Sequence, residues 1–235
     1  SDGTIEAWGR TGYGICDIPE PNADFIDVAT GSFHSLGLKS DGTIVTWGTN
    51  TSGQLDVPWP NEDFVAVAGG SEHSLGLKAD GSIVGWGHNG FLTCDVPAPN
   101  RDFVAVSAGQ WHSQGLTSFG TIVAWGYDGY GQSTVPEPNA DWVAVSGGYF
   151  HSLGLKADGT LLAWGRNDYG QCDVPEPKTG FKAIAAGYDH SVGLKADGSI
   201  VAWGDNIDGQ CDPPVPNEGF RAIFAGLGIT GGWRY

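Results

Sequence analysis

FVAVAGGSEHSLGLKADGSIVGWGHNGFLTCDVP, residues 64–97, reads as one complete structural unit. Phe64 to Ala68 is a short β-prone run, followed by a glycine-rich loop to Glu72. His73 to Lys78 alternates, with His73, Leu75 and Leu77 on one side, which is the period of a strand. Asp80-Gly81 then marks a tight hairpin, because this pair readily takes the positive φ angles of a type I′ turn. Ser82 to Trp86 is a third strand, and Gly87 to Leu92 is a loop. Thr93 to Val96 is a short fourth strand ended by Pro97. The unit thus predicts four antiparallel strands, here called A to D.

The unit recurs at a step of 39 residues. Trp-Gly falls at Trp8, Trp47, Trp86, Trp125, Trp164 and Trp203. Gly-x-x-His ends at His34, His73, His112, His151 and His190, with Ile229 in the sixth copy. Asp-Gly hairpins and Pro-x-Pro connectors keep the same step. A period near 40 residues with four strands per unit predicts an all-β chain, residues 1–235 forming a single propeller domain. The expected architecture is a six-bladed β-propeller of four-stranded antiparallel blades. The chain opens at strand C (Thr4 to Trp8) and finishes at strand B (Ile229 to Tyr235). Pairing of these terminal strands is therefore expected to close the ring and remove exposed edges.

Composition narrows the function. The formal net charge of −16, from 27 acidic and 11 basic residues, argues against nucleic acid or an anionic membrane as partner. No apolar stretch is long enough for a membrane-spanning helix. Methionine is absent even at position 1, so the chain is read as trimmed or processed and carries no information on compartment. Cys16, Cys94, Cys172 and Cys211 share one column in strand D, so equivalent thiols of neighbouring units stand too far apart for disulfides. No zinc spacing, nucleophile elbow or phosphate-cradling loop occurs. The reading is a non-enzyme with no catalytic residues, no metal and no cofactor.

Repetition separates scaffold from site. A residue needed in every unit answers a packing problem that every unit shares, so the Trp column is expected between blades. The His column is spread around a ring rather than gathered at one point, which favours structural imidazoles over metal ligands. Antiparallel order places the A–B and C–D loops on one face and the Asp-Gly hairpins and connectors on the other. On the loop face, the residues just before each His differ between units, and Phe33, Glu72, Trp111, Tyr149, Phe150, Tyr188 and Asp189 are candidate partner contacts. The C–D loops add Tyr13, Phe91, Tyr130 and Tyr169. Aromatics dominate interface hot spots, so this asymmetric set suits one large protein partner bound by a monomer. A glycan-binding propeller is the alternative, with the rings stacking on sugars.

The joint pattern G-x-x-H-S-L-G-L-K-x-D-G-T-I-V-A-W-G-x-N-x-x-G-Q resembles the regulator of chromosome condensation repeat family over the whole chain. The shorter unit ending in Val-Pro is similar to propellers that inhibit class A β-lactamases. Both comparison folds have seven blades, against six repeats here. The resemblance implies a propeller whose His column lies on the partner-engaging face. It also implies loop aromatics similar to an inhibitor's contact set, although the inhibitor's loop residues are not reproduced in order or number.

Overall fold

The structure is a computed structural model that describes residues 3–8 and 12–234. The first sheet holds β1 (Phe25–Thr30), β2 (His34–Lys39) and β3 (Ile44–Gly48); the second holds β4 (Phe64–Gly69), β5 (His73–Lys78) and β6 (Ile83–Gly87). The third comprises β7 (Phe103–Ala108), β8 (His112–Thr117) and β9 (Ile122–Gly126), and the fourth β10 (Trp142–Gly147), β11 (His151–Lys156) and β12 (Leu161–Gly165). The fifth comprises β13 (Phe181–Ala186), β14 (His190–Lys195) and β15 (Ile200–Gly204); the sixth has only β16 (Ala222–Ala225) and β17 (Thr230–Trp233). All pairings are antiparallel.

This corrects the six-bladed, four-stranded expectation: the described residues form five three-stranded sheets and one two-stranded sheet. The D segment fails to pair because its backbone donors are spent locally. Asp56 N–H donates to Gly53 and Val57 N–H to Leu55, and the pattern repeats at Asp95/Leu92, Val96/Cys94, Asp173/Gly170 and Val174/Cys172. Proline follows at once and has no N–H to offer. The start of the third strand's outer edge is satisfied instead by a side chain. Asn61 accepts from Ile44 N–H through Oδ1 and donates to Ile44 C=O through Nδ2, both at 2.8 Å. Asn100, Asn139 and Asn217 do the same for Ile83, Ile122 and Ile200.

The expected ring closure is also corrected. Thr4 to Trp8 forms no strand with β17, and Tyr235 lies outside the described residues. Ile5 is held by Asn22 and the Gly3 carbonyl accepts from Phe25 N–H, which lays this segment against the first sheet. Inner strands pack in the series β1, β4, β7, β10, β13, β16; among the described residues no comparable contact links β16 or β17 back to β1.

The core lies in the seams between sheets. Leu36, Leu38 and Ile44 of the first sheet meet Phe64, Val67 and Trp86 of the second. Four further seams repeat the arrangement. Five tryptophans of the repeat column are only 5–8% exposed, and each indole N–H reaches across the seam, as Trp86 does to the Gln54 carbonyl at 2.9 Å. Trp8 departs from its column, at 85% exposure.

The histidines join the same seams. His34 Nε2 lies 2.9 Å from Ser74 Oγ of the next sheet, and Ser74 Oγ donates to the Gln54 carbonyl at 2.9 Å. His73, His112 and His151 repeat the contact with Ser113, Ser152 and Ser191, and His190 uses Thr230. In the four serine contacts the hydroxyl hydrogen is already given to a carbonyl, so the imidazole donates from Nε2, and burial lowers its pKa far enough to keep it neutral near pH 7. The glycine three residues earlier makes room: a Cβ on Gly70 would sit 2.2 Å from His73 Cε1. Each imidazole thus ties its sheet to the next.

The four cysteines are half-buried, and Cys94, Cys172 and Cys211 are free thiols. Burial pushes the Cys172 thiol up to about 12 and Cys211 to about 11, and raises Cys94. Thiol titration with an aromatic disulfide reagent is therefore expected to be slow in the native protein and to count four groups after denaturation. Rapid native labelling of Cys172 or Cys211 would contradict this placement.

Candidate functional site

The two variable positions before each His build two adjoining features, and Tyr149 and Tyr188 belong to both. The first position supplies Ser32, Ser71, Gln110, Tyr149, Tyr188 and Leu227, which surround a central cavity of about 450 Å³. Its wall is tied by backbone bonds between sheets, such as Ser32 N–H to Gly70 C=O and Tyr188 N–H to Gly226 C=O. Small residues line it because neighbouring strands nearly touch there: a Cβ on Gly69 would lie 2.7 Å from the Gly31 nitrogen.

Trp111 and Phe150 of the second position turn toward the C–D loops and, with Tyr149 and Tyr188, build one aromatic patch from the second to the fifth sheet, whereas Phe33 lines the cavity. Trp111 stands 5.0 Å from Phe91, 5.9 Å from Tyr127 and 5.4 Å from Phe150 between ring centroids. Phe150 meets Tyr130 at 5.2 Å and Tyr149 at 4.4 Å. Tyr149 stacks on Tyr188 at 3.5 Å, while His88 extends the far end through Phe91. Most contacts are tilted or edge-to-face, the arrangement the ring quadrupoles favour.

Arg166 supplies the patch's cation. Its guanidinium lies 5.8 Å from the Tyr130 ring centre and 5.4 Å from Tyr169. It pairs with Asp168 at 2.6 Å and approaches Asp189 at 3.6 Å. Burial raises the Asp189 carboxyl, and Arg166 pulls it back down. Burial, then the hydrogen bond with Tyr149, raises the Tyr188 phenol. The patch thus combines apolar area with one partly buried cation and polar rims. Among the described residues no cluster of His, Cys, Asp and Glu has metal-binding geometry.

The structure brings together Phe91, Trp111, Tyr130, Tyr149, Phe150, Tyr169, Tyr188 and Asp189. It leaves Tyr13 and Phe33 as a separate pair at 5.2 Å by the first sheet, and Glu72 accepting a hydrogen bond from Ser52. Trp111 and Phe150 are packed ring against ring rather than freely exposed. The exposed rings of the patch are Tyr130 and Tyr169, at 48% and 47%. Sequence reading missed His88, Tyr127 and Arg166. All three occupy the position between Trp-Gly and the following Asn or Asp, where Thr49 and Asp205 stand in other units. Variation at a position flanked by invariant repeat residues was the signal available.

No curated protein sequence matches the chain. The pattern described as the regulator of chromosome condensation (RCC1) repeat matches residues 25–54, 64–91, 142–171 and 181–210. Yeast RCC1 (Prp20), solved bound to Kap60, is similar in fold, with a TM-score of 0.74 at 21% identity over 89% of this chain and 67% of that one. The ectodomain of the Physcomitrella patens receptor kinase CR4 matches with a TM-score of 0.72 at 25% identity, over 85% of this chain and 58% of its own length. A second Saccharomyces cerevisiae Prp20p structure, described with its binding to Gsp1p and histones, has a TM-score of 0.61 at 18% identity, over 92% of this chain and 84% of that one.

Proposed function

The chain belongs to the regulator of chromosome condensation repeat family, and from that premise we propose that it is a non-catalytic scaffold that binds a protein partner through the aromatic loop face. The observation that carries this reading is the contrast between columns. Seam residues recur at every step, whereas the patch from His88 to Tyr188 is built from residues that differ between sheets. An asymmetric patch suits one asymmetric partner better than a set of equivalent sugar sites. Rings packed edge-to-face also present few open faces for a sugar to stack on. The protein assemblies of Prp20 support the same class of partner. Inhibition of an enzyme by occlusion is the narrower form of the reading.

The test is capture of partners followed by substitution on both faces. Tyr130→Ala, Tyr169→Ala and Arg166→Ala should leave the fold intact. At least one should weaken binding by about 2 kcal/mol or more, roughly 30-fold. Glu62→Ala on the hairpin face should change only the salt dependence. Loss of binding confined to hairpin-face variants would place the site on the other face. Retention of glycans and of no protein would replace the protein reading by the carbohydrate one.

A further inference from the structure

The cavity beside the aromatic patch has a wall of definite polarity. The backbone donors of its glycine collar are spent. Gly70, Gly109, Gly148 and Gly187 donate within their own loops to the carbonyls of His73, His112, His151 and His190, at 2.8–2.9 Å. The next N–H in each loop reaches the following sheet: Ser71 donates to Gln110 C=O, Gln110 to Gly148 C=O, Tyr149 to Gly187 C=O and Tyr188 to Gly226 C=O, at 3.2–3.3 Å. A carbonyl engaged in this way keeps a second lone pair. Glycine leaves these oxygens uncovered, since a Cβ on Gly70 would lie 2.7 Å from the Gly109 oxygen and one on Gly148 2.7 Å from the Gly187 oxygen. Ser71 lines the same wall at 5% exposure, and among the described residues its hydroxyl has no hydrogen-bond partner. Among the described residues no Lys or Arg lines the cavity. Acceptors therefore exceed donors, and no positive charge balances them.

The surroundings have the same sign. Arg166 faces two carboxylates, Asp168 at 2.6 Å and Asp189 at 3.6 Å, so this group carries a net negative charge beside Tyr188. The whole chain carries −16. The stacked rings of Tyr149 and Tyr188 form one side of the cavity. Tyr188 meets no further ring among the described residues, which leaves its second face for a cation. The chain already uses this contact once, with the Arg166 guanidinium 5.4 Å from the Tyr169 ring centre.

We propose that this cavity receives an arginine side chain of the bound partner, its guanidinium on the Tyr188 ring and its N–H groups on the spare acceptors of the glycine collar. The proposal rests on the reading that a protein binds the loop face, and it names the chemistry that partner must present. A guanidinium fits better than an ammonium because it is flat, weakly hydrated, stacks on aromatic faces and spreads several N–H donors toward separate acceptors. The volume of about 450 Å³ lies within the range of pockets that hold small ligands, about 300–1,000 Å³. A partner side chain is the fitting source because Tyr149 and Tyr188 belong to both the cavity and the aromatic patch, so a protein seated on the patch covers the cavity as well.

Titration of the full chain with n-butylguanidinium, followed by NMR of the tyrosine rings, tests this against n-butylurea, which has nearly the same shape without the charge. Butylguanidinium should shift Tyr149 and Tyr188 saturably and bind about tenfold more tightly than the urea. Tyr188→Leu should remove that preference, whereas Tyr188→Phe keeps the ring face and should retain it. Equal binding of the two probes, or shifts confined to the acidic hairpin face, would overturn the cation site. These measurements need no partner, so they hold or fail independently of the aromatic patch. With a captured partner in hand, saturating butylguanidinium should weaken its binding about tenfold. Partner binding that the saturating probe leaves undisturbed would overturn the assignment to a partner's arginine and leave a site for a free organic cation.

Discussion

Acidification from pH 6.5 to pH 4 is expected to unfold this protein, because its seams hold five neutral, buried imidazoles. Burial pushes His34 and His112 down to about 4 and His73 and His151 to about 3, and it lowers His190 as well. Nδ1 of His34, His112, His151 and His190 has no hydrogen-bond partner, so a proton there would add an uncompensated buried charge. Below the unfolded value of about 6.5 the unfolded chain takes up protons that the folded chain refuses. The stabilisation is complete above that value and is lost as pH falls toward the folded ones. Each such histidine weakens the fold by roughly 1.4 kcal/mol per pH unit within the window. The four with folded values of about 3–4 give roughly 6 kcal/mol per unit, against a typical stability of ~5–15 kcal/mol, and His190 adds in the same direction. Asp41, Asp80, Asp158 and Asp197 are lowered by bonds to the hydroxyl and backbone N–H of a nearby Thr or Ser, so their contribution is lost only at still lower pH. Asp27 and Asp189 are raised by burial and act in the opposite sense. Melting temperature followed by tryptophan fluorescence should fall steeply below pH 6.5, and His73→Gln should flatten the slope by about one proton. A melting temperature constant from pH 7 to pH 4 would show that the imidazoles are not neutral by burial.

Trp125→Ala should destabilise by about 3–5 kcal/mol. Trp125 is 6% exposed, fills the seam with Leu75, Leu77, Ile83 and Phe103, and donates to the Thr93 carbonyl at 2.8 Å. Truncation opens a cavity and strips that carbonyl of one donor. Trp8→Ala, in the same repeat column but exposed, should cost under about 1 kcal/mol in the isolated chain. Denaturant titration of the two variants decides the matter. Equal losses would mean that solvent exposure fails to separate the two sites. Trp111 belongs to neither class: three ring contacts hold it, so its truncation should disturb the patch as well as any partner bound there.

Much of the candidate site was legible, because the residues before each His break a period that everything around them keeps. Tyr127 and Arg166 were not, although they break it too, since nothing in one unit says that its C–D loop reaches the rings of the next. The D segment misled for a local reason: Thr93 to Val96 has the composition of a strand, but turn bonds consume its donors before a ladder can form.

The sequence by itself determined the strand period, the hairpins, the 39-residue step and the division between seam residues and variable loops. Each of these is a local or nearest-neighbour requirement repeated unchanged along the chain. Only the tertiary structure decided which loop rings meet and that, among the described residues, five sheets hold three strands and the sixth two. Those outcomes depend on distances between units and on how small rotations at each seam accumulate.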